Sequence, residues 1–264
     1  MKINNEEIKG VLHRQVSEEN YHLRRYFPSD LFNGFIEQFW FVSWNLEEQR
    51  THTQQNLPDP NFHLIISNEG IKLLGPVSKK YSYKMEGVGR IIGVKFETGA
   101  LKELLPLPIE DYVNREVLAK EIFGLDFVNN LISLYEHEND LEVISYIHDN
   151  LASFVQPITK SKAITQSLVS LIKNNENICT VKQVASYANI SSRSVQRYFS
   201  EYVGLSPKWL IRKYRLSRVL DELETNSVSI LDIVTQLEYV DQSHLIRDFK
   251  EILGITPNRY NKLK

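Results

Sequence analysis

Residues 197–207, RYFSEYVGLSP, return fifty positions later as RDFKEILGITP at 247–257. Arg197/Arg247, Phe199/Phe249, Glu201/Glu251, Gly204/Gly254 and Pro207/Pro257 are identical, and Val203/Leu253, Leu205/Ile255 and Ser206/Thr256 are chemically equivalent. A repeat at fixed offset is one supersecondary unit used twice. The C-terminal part of the chain is therefore constrained to two copies of one small structure, at a separation set by the residues between them.

The residues before each copy define the unit. Thr180-Val181-Lys182-Gln183 has capping-box form, with Thr180 as N-cap and Gln183 reaching back. A short helix follows to about Tyr187, and Ala188-Asn189 ends it, since Asn best tolerates a left-handed turn position after Gly. Ser191 then caps a second helix that runs to Tyr202 and stops at Gly204. Two short helices joined by a tight turn form a helix-turn-helix. In the second copy Ser229-Ile230-Leu231-Asp232 opens a helix, a turn follows near Tyr239-Val240-Asp241, and a second helix runs from about Gln242 to Ile252. Ser206-Pro207 and Thr256-Pro257 each put a capping residue before Pro at a new helix start. The first launches a long helix, Lys208 to about Glu224, that holds the two units apart.

The second helix of each unit has two faces. At about 100° per residue, Val195, Phe199, Tyr202 and Val203 point one way, and Arg193, Gln196, Arg197 and Ser200 the other. Leu245, Phe249 and Leu253 repeat the inward positions; Ser243, Ile246, Arg247 and Lys250 repeat the outward ones. An outward face of Arg, Gln and Ser has the donor chemistry for base edges and phosphates. For a single helix an ordinary solvated face explains such a pattern equally well. The second copy favours DNA reading, and so does the charge. Residues 160–264 carry 16 basic and 10 acidic side chains, against 15 and 23 in residues 1–159. A basic half beside an acidic one suggests a polyanion-binding domain.

From about Ile178 to Tyr260 the chain resembles the DNA-binding domain of the AraC/XylS family of bacterial transcription regulators. The residues that carry the likeness are Ser229-Ile230, Tyr239, Leu245, Arg247, Phe249-Lys250, Gly254, Thr256-Pro257 and Tyr260. The resemblance implies base contacts from Arg193, Gln196 and Arg197 in the first unit, and from Gln242, Ser243, Ile246 and Arg247 in the second. Arg would read guanine, Gln196 or Gln242 adenine, and Ile246 a thymine methyl, with Lys208, Arg212 and Lys250 on phosphates. Two departures stand out: Glu238 occupies the turn where the family has Gly, and Val234 replaces a small residue at the helix crossing. A Glu at positive φ costs on the order of 1 kcal/mol, so Glu238→Gly is expected to be neutral or stabilising.

The N-terminal half has a different texture. Residues 35–42, 62–66, 71–74, 81–83 and 90–96 are β-branched and aromatic, with turn signals at Gly70, Gly75-Pro76 and Gly87-Val88-Gly89. They predict a small barrel or sandwich. Helical patterns follow at Ala100–Leu105, Glu116–Phe123, Phe127–Tyr135 and Leu141–Phe154. The apolar spacing of the last two suits a homodimer interface or packing against the barrel. Tyr26-Phe27-Pro28, Phe39-Trp40, Leu57-Pro58-Asp59, Leu74-Gly75-Pro76 and residues 93–100 resemble the cupin-like N-terminal domain of some members of the same family, which implies a sensing or dimerising role. Phe35, Phe39, Trp40, Phe41, Phe62, Tyr83 and Phe96 either line a ligand pocket or fill a core.

The expectation is a two-domain α+β protein: a cupin-like small β-barrel with helices at 1–157 and an all-α double helix-turn-helix domain at 158–264, joined by a linker at about 155–160. It would bind double-stranded DNA as a transcription regulator under a small-molecule effector, contacting RNA polymerase if it is an activator. Control by a protein partner is one rival; a cupin-type enzyme with a DNA-binding appendage is another. No cofactor and no metal are expected, because His52 and His63 lack the His-x-His spacing of a cupin metal site. Cys179, the single cysteine, is expected to be structural and fits a reducing compartment. No apolar run is long enough for a membrane span and the N-terminus shows no secretory pattern, which together predict a cytoplasmic protein.

Overall fold

The computed structural model describes residues 10–13, 17–47, 50–225, 232, 234–235 and 241–262. Ser229-Ile230-Leu231, Glu238 and Tyr239-Val240 lie outside the described residues, and with them the expected turn of the second unit.

Eight strands build the N-terminal half: β1 His22–Tyr26, β2 Ile36–Asn45, β3 Thr51–Asn56, β4 His63–Ser67, β5 Gly70–Leu74, β6 Tyr81–Glu86, β7 Val88–Phe96 and β8 Glu116–Leu118. Six form one antiparallel sheet in the order β1-β2-β7-β4-β5-β8, and β3 and β6 pair as a separate ribbon. Period-two alternation divides the large sheet into two faces. On one face Phe39, Phe41, Leu64, Ile66, Leu73, Ile92, Val94 and Phe96 are buried. A register shift between Ile36 and Gln38 puts Ile36 on this same face, as a bulge does by inserting one residue.

That face is covered by α1 Lys120–Phe123, α2 Leu125–Leu131 and α3 Asp140–Leu151. Phe127, Leu131, Leu134, Val143, Ile147 and Leu151, whose spacing suited either a dimer interface or the barrel, are buried in this core. So are Phe35, Phe39, Phe41, Phe62 and Phe96, which fill the core; of the seven aromatics only Trp40 and Tyr83 line a cavity, on the opposite face. Residues 116–118 are β8, an edge strand rather than the start of a helix. Lys102–Leu104 forms a single 3-10 turn where a longer helix was predicted.

Six further helices follow α3, counting only described residues: α4 Lys160–Asn174, α5 Val181–Tyr187, α6 Ser192–Tyr202, α7 Pro207–Thr225, α8 Gln242–Leu253 and α9 Pro257–Asn261. Two small cores divide them. Leu168, Ile172, Val184, Val195, Phe199, Val203, Leu210 and Ile211 form the first. Leu216, Val219, Leu220, Leu223, Leu245, Phe249, Leu253 and Tyr260 form the second, completed by Leu12 and Leu57 from the N-terminal half. The single helix α7 contributes to both.

The capping box at α5 is present in both directions: Gln183 N–H donates to Thr180 Oγ1 at 3.2 Å and Thr180 N–H to Gln183 Oε1 at 2.9 Å. Thr180→Ala is expected to cost about 1 kcal/mol, with Thr180→Ser close to wild type. Urea melts that find no difference between Ala and Ser would show that the cap does not hold the first unit.

Candidate nucleic-acid interface

Each candidate reading helix is positioned from both ends by its own sequence. Asn189 adopts φ 51°, the left-handed geometry that turns the chain between α5 and α6. Ser191 then caps α6 by accepting from Ser194 N–H at 3.1 Å. At α8 the cap is Asp241, whose carboxylate accepts from His244 N–H at 2.8 Å and also complements the positive helix N-terminus. Gly204 and Gly254 end the two helices at φ 73° and φ 72°, so the glycine of each duplicated segment serves the same left-handed stop.

The faces fall as the helical phase predicted. Val195, Phe199, Tyr202 and Val203 are buried in the first unit, and Leu245, Phe249 and Leu253 in the second. Arg193, Gln196, Arg197 and Ser200 are exposed on α6; Gln242, Ser243, Arg247 and Lys250 are exposed on α8, where Ile246 is half-buried. Within each unit the candidate side chains therefore share one solvent-facing surface. Arg197 lies beside Tyr198, its guanidinium carbon 5.2 Å from the ring centroid, which limits the directions in which it extends.

Arg212, expected on phosphate, is already engaged. Its Nε donates to Asp248 Oδ1 at 2.7 Å, and its guanidinium also pairs with Glu251. Burial acts to lower the Arg212 pKa, but the two carboxylates outweigh it and raise it. Arg212 thus ties α7 to α8 and sets the angle of the second reading helix. Lys208 and Lys250 remain exposed. Val234 packs against the second core although it is larger than the family's residue. Cys179 is half-exposed, not buried as a structural cysteine usually is; its backbone N–H donates to Gln183 Oε1 at 3.0 Å, so the chain at this position serves the capping box.

Sequence reasoning missed how closely the N-terminal half grips these units. Ser200 on α6 donates to Glu110 Oε2 at 3.2 Å, and Glu201 pairs with Lys102. A Cβ on Gly99 would come within 2.9 Å of the Tyr202 ring, and one on Gly204 within 2.8 Å of Ile109. Trp209 Nε1 donates to Ser78 carbonyl at 3.0 Å, Lys80 N–H to Ile252 carbonyl at 2.8 Å, and His13 stacks on Tyr260 at 4.5 Å. Glycine at 99 and the small residues around it were the only local signal.

A set of buried charges completes this grip. Lys95 on β7, with 14% side-chain exposure, lies 2.7 Å from Asp59 and 3.2 Å from Glu37. Glu37 also reaches Lys173 on α4 at 3.5 Å and accepts from Asn61 Nδ2 at 2.7 Å. Burial opposes charge on Asp59, but Lys95, then His63 and Lys213, hold its carboxyl well below the usual range. Lys213 on α7 is buried, and burial, with Lys95 and Lys173 adding, pushes its pKa down to about 8. Among the described residues no group of three or more His, Cys, Asp or Glu is arranged to hold a metal ion, and no helix is long and apolar enough to cross a membrane.

Residues 184–263 match the model of a helix-turn-helix domain family, and residues 24–118 that of a domain of unknown function, DUF6597. The chain is 31% identical over 93 residues to the HTH-type transcriptional regulator GbdR of Pseudomonas aeruginosa, covering 35% of this chain and 25% of that one. It is 28% identical over 101 residues to the HTH-type transcriptional activator AarP of Providencia stuartii, covering 38% of this chain and 75% of that protein. The chain spans about a third or less of the length of most of the curated relatives it matches. Among solved structures, ToxT of Vibrio cholerae aligns at a TM-score of 0.37 and 12% identity, over 92% of this chain and 98% of that chain.

Proposed function

Since residues 184–263 belong to the AraC-type helix-turn-helix family, we propose that the whole chain is a sequence-specific, double-stranded DNA-binding transcription regulator controlled by an effector at its N-terminal half. The observation that carries this reading is the matched pair of exposed faces, Arg193/Gln196/Arg197 on α6 and Gln242/Ser243/Arg247 on α8, mounted on the one helix α7. In this reading the chain works by binding, not catalysis, in the cytoplasm. Its domains divide at 157/158, and it contacts RNA polymerase if it activates. A homodimer would use surfaces other than the α2 and α3 residues already buried in the core.

The test is titration of fluorescent duplex DNA with the full chain across a salt series. A protein touching six to ten phosphates loses about 10³–10⁵ in affinity between 50 and 200 mM salt, and a selected duplex must survive that series better than a random one. Binding that is absent, or equally tight to every duplex, sinks the sequence-specific reading. Footprinting across the genome then identifies the neighbouring genes from which an effector class follows.

A further inference from the structure

The N-terminal half meets the first reading helix on the face that would meet DNA. A cleft of about 310 Å³ lies where α6 ends and α7 begins, lined by Gln196, Ser200, Ser206 and Lys208 from the C-terminal half and by Glu110 from the N-terminal one. Glu110 and Lys208 are the charged residues among those that line it. Ser200 Oγ donates to Glu110 Oε2 at 3.2 Å, and Gln196, Ser200, Lys208 and Glu110 are all exposed residues. A carboxylate therefore stands on the outward side of α6, one turn from a candidate base reader.

The second copy of the duplicated segment is built differently at the same positions. Gly204 and Gly254 both stop their helices, but a Cβ on Gly204 would come within 2.8 Å of Ile109 and 3.2 Å of the Glu110 backbone nitrogen, whereas one on Gly254 would meet nothing within 4 Å. The missing side chain at Gly204 is what lets residues 109–110 come so close. Glu201 pairs with Lys102 of the N-terminal half, whereas Glu251 pairs with Arg212 inside the C-terminal half. Lys250, in the place of Ser200, is exposed. Of the two copies, the first is the one shaped to receive residues 99–110.

The cleft has the chemistry of a phosphate seat. Gln196 and Ser200 are four residues apart on α6, about one turn and 6 Å, so a base edge beneath Gln196 brings the flanking sugar-phosphate strand toward Ser200. A serine hydroxyl and a lysine ammonium are ordinary donors to phosphate oxygens, and the group that Ser200 now donates to is an anion of the same sign. We propose that the Ser200–Lys208 cleft seats a DNA backbone phosphate, and that the Glu110 carboxylate fills this seat while the chain is free of DNA. The inference rests on the regulator reading above and deepens it, because it names the contact through which the N-terminal half restrains the first reader. The two anions compete for the same donors, so DNA binding and the docking of residues 99–110 on α6 oppose one another.

The test is titration of a fluorescent random-sequence duplex with the full chain at several salt concentrations, because phosphate contacts act on every sequence. Glu110→Gln keeps the size of the side chain and an acceptor for Ser200 but removes the charge. It is expected to raise affinity about tenfold and to steepen the salt slope by about 0.9, the share of one phosphate. Asp111→Asn removes the neighbouring charge and should change affinity by less than about twofold, since solvent screens a charge outside the cleft. Lys208→Ala should cost about tenfold in the Glu110→Gln chain and clearly less in the otherwise wild-type chain, where losing Lys208 also loosens Glu110. All three positions are exposed, so the variants are expected to fold. A Glu110→Gln chain that binds like wild type, an Asp111→Asn chain that gains as much, or an equal Lys208→Ala cost in both backgrounds overturns the inference. Each of these results leaves the regulator reading standing so long as the wild type binds the duplex; no binding by any of the chains at low salt overturns both.

Discussion

Lys95→Met is expected to destabilise the folded chain by about 3–5 kcal/mol, because it leaves Asp59 and Glu37 in a buried site without the cation between them. Asp59 then keeps the Asn61 N–H, His63 at 3.6 Å and the more distant Lys213, and Glu37 keeps Lys173 and the Asn61 amide. The pH dependence has a definite sign. Lys95 holds the Asp59 pKa below its unfolded value, so this stabilisation is complete above about pH 4 and is lost as pH falls through the folded value. The gap between wild type and Lys95→Met should therefore be widest near neutrality and narrow under acid. Adding Asp59→Asn to Lys95→Met should restore part of the loss. Urea melts at pH 7 that differ by less than about 1 kcal/mol would show that water, not Lys95, compensates these carboxylates.

Arg197→Ala and Arg247→Ala are each expected to cost about 1–3 kcal/mol of discrimination, at two different places in one binding site. The two arginines occupy equivalent positions on α6 and α8, and a continuous helix fixes their relation. Readers on one face of B-DNA meet successive major grooves about 34 Å, or ~10 bp, apart. Selection of preferred duplexes by wild type and each single variant separates the possibilities. If both variants lose preference at the same base pair, or weaken all duplexes equally, these arginines hold phosphate and the bases are read elsewhere.

The C-terminal half was legible because its signals are local. A capping Thr180 with Gln183, a left-handed Asn189 and a glycine at each helix end act within four residues, and the structure places each where the spacing put it. The apolar phase of α6 and α8 then fixed which side faces out. The N-terminal half was less legible because its strands answer to distant partners. β3, Thr51–Asn56, is polar throughout and is a strand only because β6 lies beside it. β8 opens the stretch whose pattern looked helical, but it completes the sheet edge against β5. Alternation along β2 was visible, yet not which face met the helices, so phenylalanines that fill the core were also candidates for a pocket. The buried charges around Lys95 were beyond reach, since they depend on Glu37 from β2 and Asp59 from the β3–β4 connection meeting a lysine of β7 and another of α4.

Helix α7 runs 19 residues with no interior glycine or proline, Pro207 standing at its first position. At about 1.5 Å and 100° per residue it is a ruler as well as a brace, some 28 Å long with a fixed angular setting at each end. One inserted residue would turn the second reader by about 100° away from the duplex, whatever its side chains. Two whole turns would restore the angle and leave the span wrong by about 11 Å. Such a chain changes its target by exchanging side chains on α6 and α8, because its spacing is locked into the number of residues between them. Among proteins built this way, operators should drift in base sequence far more readily than in the distance between their halves.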